Sequence, residues 1–321
     1  MVTDKANILC ILKILEDYTD ESHILNAREI QEKLKSIFDK TADRRTIYSA
    51  VDQLIGMGYD ISTFDENGYG YYLRERQFDP ADVRLLTDAV CSFEYISNRQ
   101  TDELVKKLKS LLPVHERKRF GTTNILRTDK KSPNSQIFLN IELLDQAINE
   151  RKKVSFIYTD YDMNKQLVPR RPEPYIANPY AMIVESEHYY LVMIREGLTE
   201  PSFYRIDMMK ELTILDEEIS ISRKDADLDN VKTVVYAHAG RPEQIRLKCD
   251  KVALRYCLER FGLDIMIIPS KDGDSFEAVF KASPAGIVYW ALQQIEHVEV
   301  LAPESLRSQV IAAIRSNKYK V

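Results

Sequence analysis

Apolar positions return at helical spacing from the start of the chain. Ile8, Ile11, Leu12 and Leu15 lie on one face of residues 6–17 and predict a first helix. Asn26 then offers an N-cap, Glu29 can bond back to the cap's backbone, and Leu25 and Ile30 are spaced as a hydrophobic staple. A second helix is therefore expected from Ala27 to about Ile37. Asp43 caps a third, with Ile47, Val51, Leu54 and Ile55 as its apolar stripe and Arg44, Arg45, Tyr48, Ser49 and Asp52 on the other side. Gly56 and Gly58 offer its stop. Two short strands, Ile61–Phe64 and Tyr69–Leu73, follow, and the Asn67-Gly68 pair predicts a tight hairpin between them. Three helices and a hairpin are the order of a winged helix-turn-helix.

Asp79-Pro80 opens a helical section. Val83, Leu85, Leu86, Val90, Phe93 and Ile96 mark one helix, and Leu104, Leu108, Leu111 and Leu112 the next. Residues 113–135 read as a linker in which Arg117, Lys118, Arg119, Arg127, Lys130 and Lys131 outnumber Glu116 and Asp129. That bias suits a solvated connection, or a nonspecific grip on phosphate. An amphipathic helix is expected over Ile137–Glu150. Strand-like runs then dominate: Lys153–Tyr158, Gln166–Val168, Pro174–Ile176, Ala181–Glu185, His188–Ile194, Ser202–Ile206 and Glu211–Leu215. Many short strands with polar turns predict a small barrel. The last section alternates differently, giving the order βαββαβ from Gln244 to Leu301, the ferredoxin-like pattern, with a closing helix over Ser305–Ile314.

The expected fold class is therefore α+β multidomain. Its parts are a winged helix-turn-helix (1–78), a helical linker or dimerisation region (79–135), a small β-barrel (136–220) and a ferredoxin-like βαββαβ domain (221–321). With 44% hydrophobic and 30% charged residues in 321 positions, this composition supports packed cores. No apolar run reaches the roughly 18 residues of a membrane helix, and the N-terminus lacks the pattern of a signal peptide. A cytoplasmic protein without a membrane partner is expected. The net charge of −5 argues against coating nucleic acid indiscriminately, yet leaves room for a local basic cluster that reads DNA.

Candidate chemistry is sparse. Cys10, Cys91, Cys249 and Cys257 form no CxxC pair and have no histidine at ligand spacing, so buried or idle thiols are expected and no metal or cofactor. HExxH, GxSxG and a phosphate-loop glycine pattern are absent, so no enzyme is expected. DNA contact is the strongest reading. The first turns of the third helix would enter the major groove, with Arg44 and Arg45 suited to guanine and Thr46, Tyr48 and Ser49 to phosphate or base edges. Arg28 and the wing would hold the flanking backbone. The other reading is a solvated helix face, which the acidic residues of this section favour.

Several segments resemble one family. Asp43-Arg44-Arg45-Thr46-Ile47-Tyr48 is similar to the Ser-Arg-Arg-Thr-Ile-Tyr-Arg-Asp signature of winged-helix regulators that carry a WYL domain, although Ser49 and Ala50 replace its Arg and Asp. Gly58-Tyr59-Asp60-Ile61 and Gly70-Tyr71-Tyr72-Leu73 resemble that family's wing. Tyr189-Tyr190-Leu191 is similar to its Trp-Tyr-Leu, and Phe203-Tyr204-Arg205-Ile206-Asp207 to its Phe-Arg-Leu-Asp, with Met208 where a basic residue is common. Phe261-Gly262, Trp290 and Val298–Pro303 resemble the family's C-terminal extension. The resemblance implies a bacterial-type transcription regulator with an SH3-like or Sm-like WYL barrel that senses a ligand, in several members a nucleotide or nucleic-acid fragment.

On that implication Tyr158, Arg170, Arg171, Tyr189, Tyr190 and Arg205 are the candidate ligand residues. Guanidinium forks clamp oxyanions and aromatic faces stack bases. The tyrosines suit strand packing equally well, Arg170 and Arg171 can be solvated, and Arg205 within a strand run needs a partner. Arg246 and Lys248 are expected on a solvent face and Trp290 in a core. The expected partners are a double-stranded DNA operator, a nucleotide-like effector and a second copy of the chain, since one recognition helix reads only a half-site. The alternative is a nucleic-acid-binding accessory or sensor protein, for example in a defence system, without promoter-specific regulation.

Overall fold

A computed structural model describes residues 5–119, 131–132, 134–185, 187–198, 200–221 and 241–318. The chain divides into two compact units, Met1–Pro133 and Asn134–Val321. Arg127, Asp129 and Lys130 of the expected basic linker lie outside the described residues.

In the first unit, α1 (Lys5–Tyr18), α2 (Ala27–Phe38) and α3 (Arg44–Gly56) precede β1 (Ile61–Ser62), α4 (Phe64–Asn67) and β2 (Tyr72–Leu73). The Asn26 side chain accepts from the backbone N–H of Arg28 and Glu29, and Glu29 returns a bond to the Asn26 N–H. Leu25 and Ile30 are both buried, as the staple requires. The core joins Ile11, Ile14 and Leu15 of α1 to Ile30 and Leu34 of α2 and to Ile47, Val51 and Leu54 of α3. Ala50 completes the buried stripe of α3, whereas Ile55 is exposed.

The wing departs from the expected hairpin. Thr63 and Glu66 form a capping box, so residues 64–67 make one helical turn, and Gly68 closes it at φ +72°. The Asn-Gly pair thus ends a helix instead of turning a hairpin. Register is kept by two ladders. Ile61 and Ser62 pair with Leu73 and Tyr72, and Leu25 forms a bridge to Tyr71. Gly70 is needed beside that bridge, because a Cβ there would sit 2.3 Å from the Leu25 carbonyl oxygen.

Helices α5 (Pro80–Ser92), α6 (Asn98–Lys109) and α7 (Val114–Arg119) complete the unit. Leu85 and Leu86 are exposed, and Phe93 and Ile96 fall beyond the end of α5, so the expected apolar face is narrower than the sequence suggested. The expected linker begins with a helix: α7 is pinned to α1 by Arg117, whose Nη2 meets Asp17 Oδ1 at 2.7 Å.

In the second unit, α8 (Ile137–Glu150) leads into β3 (Lys152–Tyr161), β4 (Leu167–Pro169), β5 (Tyr175–Glu185), β6 (His188–Arg195), β7 (Ser202–Arg205) and β8 (Met209–Glu218). All ladders are antiparallel. β3 pairs with β5, β4 and β8, while β6 lies between β5 and β7. β5 is one strand where two were expected, because Pro179 sits at a register shift instead of ending the strand. The sheet curls strongly. Tyr204 of β7 lies 4.7 Å from the Tyr158 ring of β3, although β5 and β6 separate those strands in the ladder order. The small barrel expected from the sequence is thus, at the level observed, a curled six-stranded antiparallel sheet.

The C-terminal section runs β9 (Glu243–Asp250), α9 (Leu254–Phe261), β10 (Met266–Pro269), β11 (Ser275–Ala282), α10 (Pro284–Gln293), β12 (Val298–Ala302) and α11 (Glu304–Arg315). This is the βαββαβ order, with strands arranged β10-β11-β9-β12. Trp290 is buried against the Phe261 ring, and Cys249 and Cys257 lie in the same core with their sulfurs 3.8 Å apart as free thiols. Arg246 is exposed and pairs with Glu277 on the neighbouring strand. No helix among the described residues is long and apolar enough to cross a membrane.

Candidate functional site

Two sets of residues stand out, one in each unit. In the first, Asp43 caps α3 by accepting from the Thr46 N–H at 2.7 Å. The cap fixes the entry angle of the helix, and the buried Ile47–Ala50–Val51–Leu54 stripe fixes its rotation. Arg44, Arg45, Tyr48 and Ser49 are exposed as a consequence. Neither Arg44 nor Arg45 has an ion pair among the described residues, so both guanidinium groups are available to an anion. Ser49 Oγ accepts from Gln53. Arg28 is exposed at the start of α2 and holds Glu32 at 3.1 Å, a pair worth little in water.

Arg28, Arg44 and Tyr48 line one notch of about 310 Å³ with Asn26, Tyr69 and Gly70. The sequence reading named the first three and missed Tyr69. Its hydroxyl donates to Glu29 Oε1 at 3.2 Å and so joins the wing to α2. Arg45, Thr46 and Ser49 line a second hollow against Asn7 and Ile8 of α1. The predicted DNA-contact residues therefore share one side of α3 and the neighbouring start of α2.

In the second unit Tyr158, Arg170, Arg171 and Arg205 of the predicted ligand residues gather about an aromatic cluster of Phe156, Tyr158, Tyr175 and Tyr204, whereas Tyr189 and Tyr190, consecutive in β6, face opposite sides of the sheet. The Phe156 and Tyr175 rings stack at 5.6 Å, and Tyr158 meets Tyr204 edge-on. Arg170 lies over the Tyr158 ring at 4.8 Å and pairs with Asp160 at 2.9 Å. Arg171 lies over the Tyr175 ring at 3.7 Å and donates to the carbonyls of Glu173 and Pro174. Neither arginine is simply solvated. Burial pushes the Tyr158 hydroxyl up to about 12, against the pull of the Arg205 N–H and the nearby guanidinium charges.

Arg205 has the partner its position demanded. Its Nε and Nη2 meet both oxygens of the buried Asp207 carboxylate at 3.1 and 2.7 Å. Burial disfavours the charge of Arg205, but the bonds to Asp207 outweigh that and hold its pKa above the ordinary value. The turn after β7 is fixed by side chains. Asn134 and Asn140 donate to the carbonyls of Asp207, Ile206 and Met209, and Thr159 donates to that of Met208. Tyr190 pairs with Arg205 across the β6–β7 ladder, and burial raises its pKa. Tyr189 sits one residue before, opposite Val184 of β5. Among the described residues no group of three or more His, Cys, Asp or Glu side chains could hold a metal ion.

Comparison with known proteins places these features. Residues 140–214 match the WYL domain and residues 241–316 the WCX domain. The chain carries a WYL domain followed by a WCX domain. The curled sheet with its Tyr189-Tyr190-Leu191 strand falls within the first, and the βαββαβ section is the second. The uncharacterized HTH-type transcriptional regulator YobV of Bacillus subtilis (strain 168) is 22% identical over 303 residues, which cover 89% of this chain and 92% of that protein. Among solved structures, proteasome accessory factor B/C (PafBC) of Arthrobacter aurescens is 13% identical with a TM-score of 0.28, covering 99% of this chain and 49% of that one. The present chain thus spans about half the length of PafBC. A CRISPR Cas-related protein is 15% identical with a TM-score of 0.38, covering 97% of this chain and 90% of the other.

Proposed function

We propose that this WYL- and WCX-domain chain is a DNA-binding transcription regulator. Its first unit would act as a winged helix-turn-helix, and its SH3-like or Sm-like WYL sheet would sense a nucleotide or another small anionic ligand. The ferredoxin-like WCX section completes the sensory half. The observation that carries the reading is α3: one stripe is locked in the core, and the opposite side offers Arg44, Arg45, Tyr48 and Ser49 with no ion pair among the described residues. A regulator would need that division, since groove contacts must not be shared with the fold. The relation to a protein described as an HTH-type transcriptional regulator supports it.

The protein works in the cytoplasm as a homodimer, because two half-sites are needed for useful selectivity. Ligand at Tyr158, Arg170, Arg171, Tyr189, Tyr190 and Arg205 favours one arrangement of the two DNA-binding units, to the extent of its differential affinity for the two states. No chemical step is assigned to the protein. Genome-wide footprinting of the full chain tests this reading. Protection of a few palindromic duplex sites is expected; equal occupancy of all duplexes would refute regulation and favour an accessory role.

A further inference from the structure

The last residue of β6 is a guanidinium that the sequence reading passed over. Arg195 lies opposite Ala177 in the β5–β6 ladder, on the same side of the pleat as Tyr175 two residues before. Its Nε is buried and has no hydrogen-bond partner among the described residues. A buried N–H of a charged group left unpaired is costly, and native structures keep such groups where something else satisfies them. Arg195 lines a hollow of about 310 Å³ with Arg171, Pro174, Ile176, Glu196 and Leu198.

The chemistry of that hollow is uneven. Arg171 is held flat on Tyr175 by the two carbonyls it bonds, so one guanidinium is preorganised at the wall. The acidic member, Glu196, is drawn to Lys153 at 3.0 Å, a lysine it shares with Glu217 at 2.8 Å, so its charge is only partly offset. Ile176 and Leu198 are apolar yet 40% and 42% exposed, leaving an apolar wall open to an occupant. Behind them, burial pushes the Tyr204 hydroxyl above its ordinary range, while the charges of Arg195, Arg170 and Arg171 pull it back. Three guanidinium groups therefore lie near enough to Tyr204 to act on its charge. By contrast, Arg205 has its Nε and one Nη committed to Asp207.

We propose that Arg195 and Arg171 form the phosphate-binding end of the WYL sensory site, with Ile176 and Leu198 carrying the apolar body of a nucleotide. The inference rests on the sensory reading above and gives it a subsite. Guanidinium forks match phosphate oxygens in a way that a lone hydroxyl or amide does not. A bound phosphate meets the accessible part of the half-buried Arg195 guanidinium and offsets the charge held at that wall. Arg205 then serves chiefly to hold the turn after β7.

The test is isothermal titration of the full chain with the four ribonucleoside 5′-monophosphates and with the matching nucleosides. At least one monophosphate is expected to bind about tenfold or more tightly than its nucleoside, the size of one charge-assisted contact. Arg195→Gln removes most of that preference, whereas Arg255→Gln, an exposed charge change on α9, leaves it intact. If Arg195→Gln keeps the full preference, the subsite is wrong and the sensory reading survives. If neither a monophosphate nor a nucleoside binds the unmodified chain, nucleotide sensing itself falls, and the subsite with it.

Discussion

The Arg205–Asp207 pair makes removal of the Asp207 side chain the sharpest perturbation of the sensory sheet. Asp207 is 1% exposed and its carboxylate accepts two bonds from one guanidinium, at 3.1 and 2.7 Å. Deleting one partner of a buried pair costs about 3–5 kcal/mol, because the surviving charge stays desolvated. The Arg205 side chain is 27% exposed, so water offsets part of the loss, and the lower figure of about 3 kcal/mol applies. Asp207→Ala and Arg205→Met should each lower the stability of the second unit by about that much. In urea, followed by near-ultraviolet circular dichroism, the midpoint should move by about 1 M or more. The double variant Arg205→Met/Asp207→Ala should lose less than the sum of the singles by about 2 kcal/mol, since no orphaned charge remains. A coupling energy near zero would refute the pair as a structural element. The same reasoning warns that a lost ligand response in an Arg205 variant can report a loosened turn.

Other consequences follow from single contacts. Gly70→Ala places a Cβ against the Leu25 backbone, breaks the Leu25–Tyr71 bridge and should cost about 1–3 kcal/mol, seen as faster amide exchange at both residues. Retained protection at Leu25 and Tyr71 would count against a close approach there. The Tyr158 hydroxyl is pushed up to about 12 by burial, so the unfolded chain loses that proton first as pH rises past about 10. Stability should therefore fall between about pH 10 and 12, and Tyr158→Phe should flatten that part of the urea-midpoint profile. His115 of α7 stacks on His23 at 3.7 Å, and burial followed by the His23 charge holds its pKa below 6.5. The α7 contact should then weaken as pH falls below about 6.5, and His23→Phe should raise the His115 titration point measured by NMR.

Local signals were legible in the sequence, and contacts between distant residues were not. Asn26 with Glu29, and Asp43 alone, marked helix starts to the residue, because a cap is a bond between near neighbours. The same rule could have found α4: Thr63-x-x-Glu66 is a capping box, but the adjacent Asn-Gly pair pointed to a hairpin. Pro174–Ile176 and Ala181–Glu185 were expected as two strands, although a register shift after Pro179 keeps them one. The need of Arg205 for a partner was legible; that the partner is Asp207, two positions on, depended on the turn formed by residues 206–208. The meeting of Tyr158, Tyr175 and Tyr204 required the curl of the whole sheet, and no spacing along the chain encodes that. Arg195 escaped notice for the same reason, since only the β5–β6 register sets it beside Ala177 and Tyr175.

Salt dependence of duplex binding tests the account most directly. Binding of the full chain to a footprinted site, measured by fluorescence anisotropy across sodium chloride concentrations, should weaken linearly on a log–log plot. Arg45→Ala should reduce the steepness by about one unit while the thermal midpoint stays unchanged, because Arg45 is exposed and has no ion pair among the described residues. Affinity that is flat in salt, or a slope that Arg45→Ala leaves untouched, would contradict the claim that α3 holds DNA.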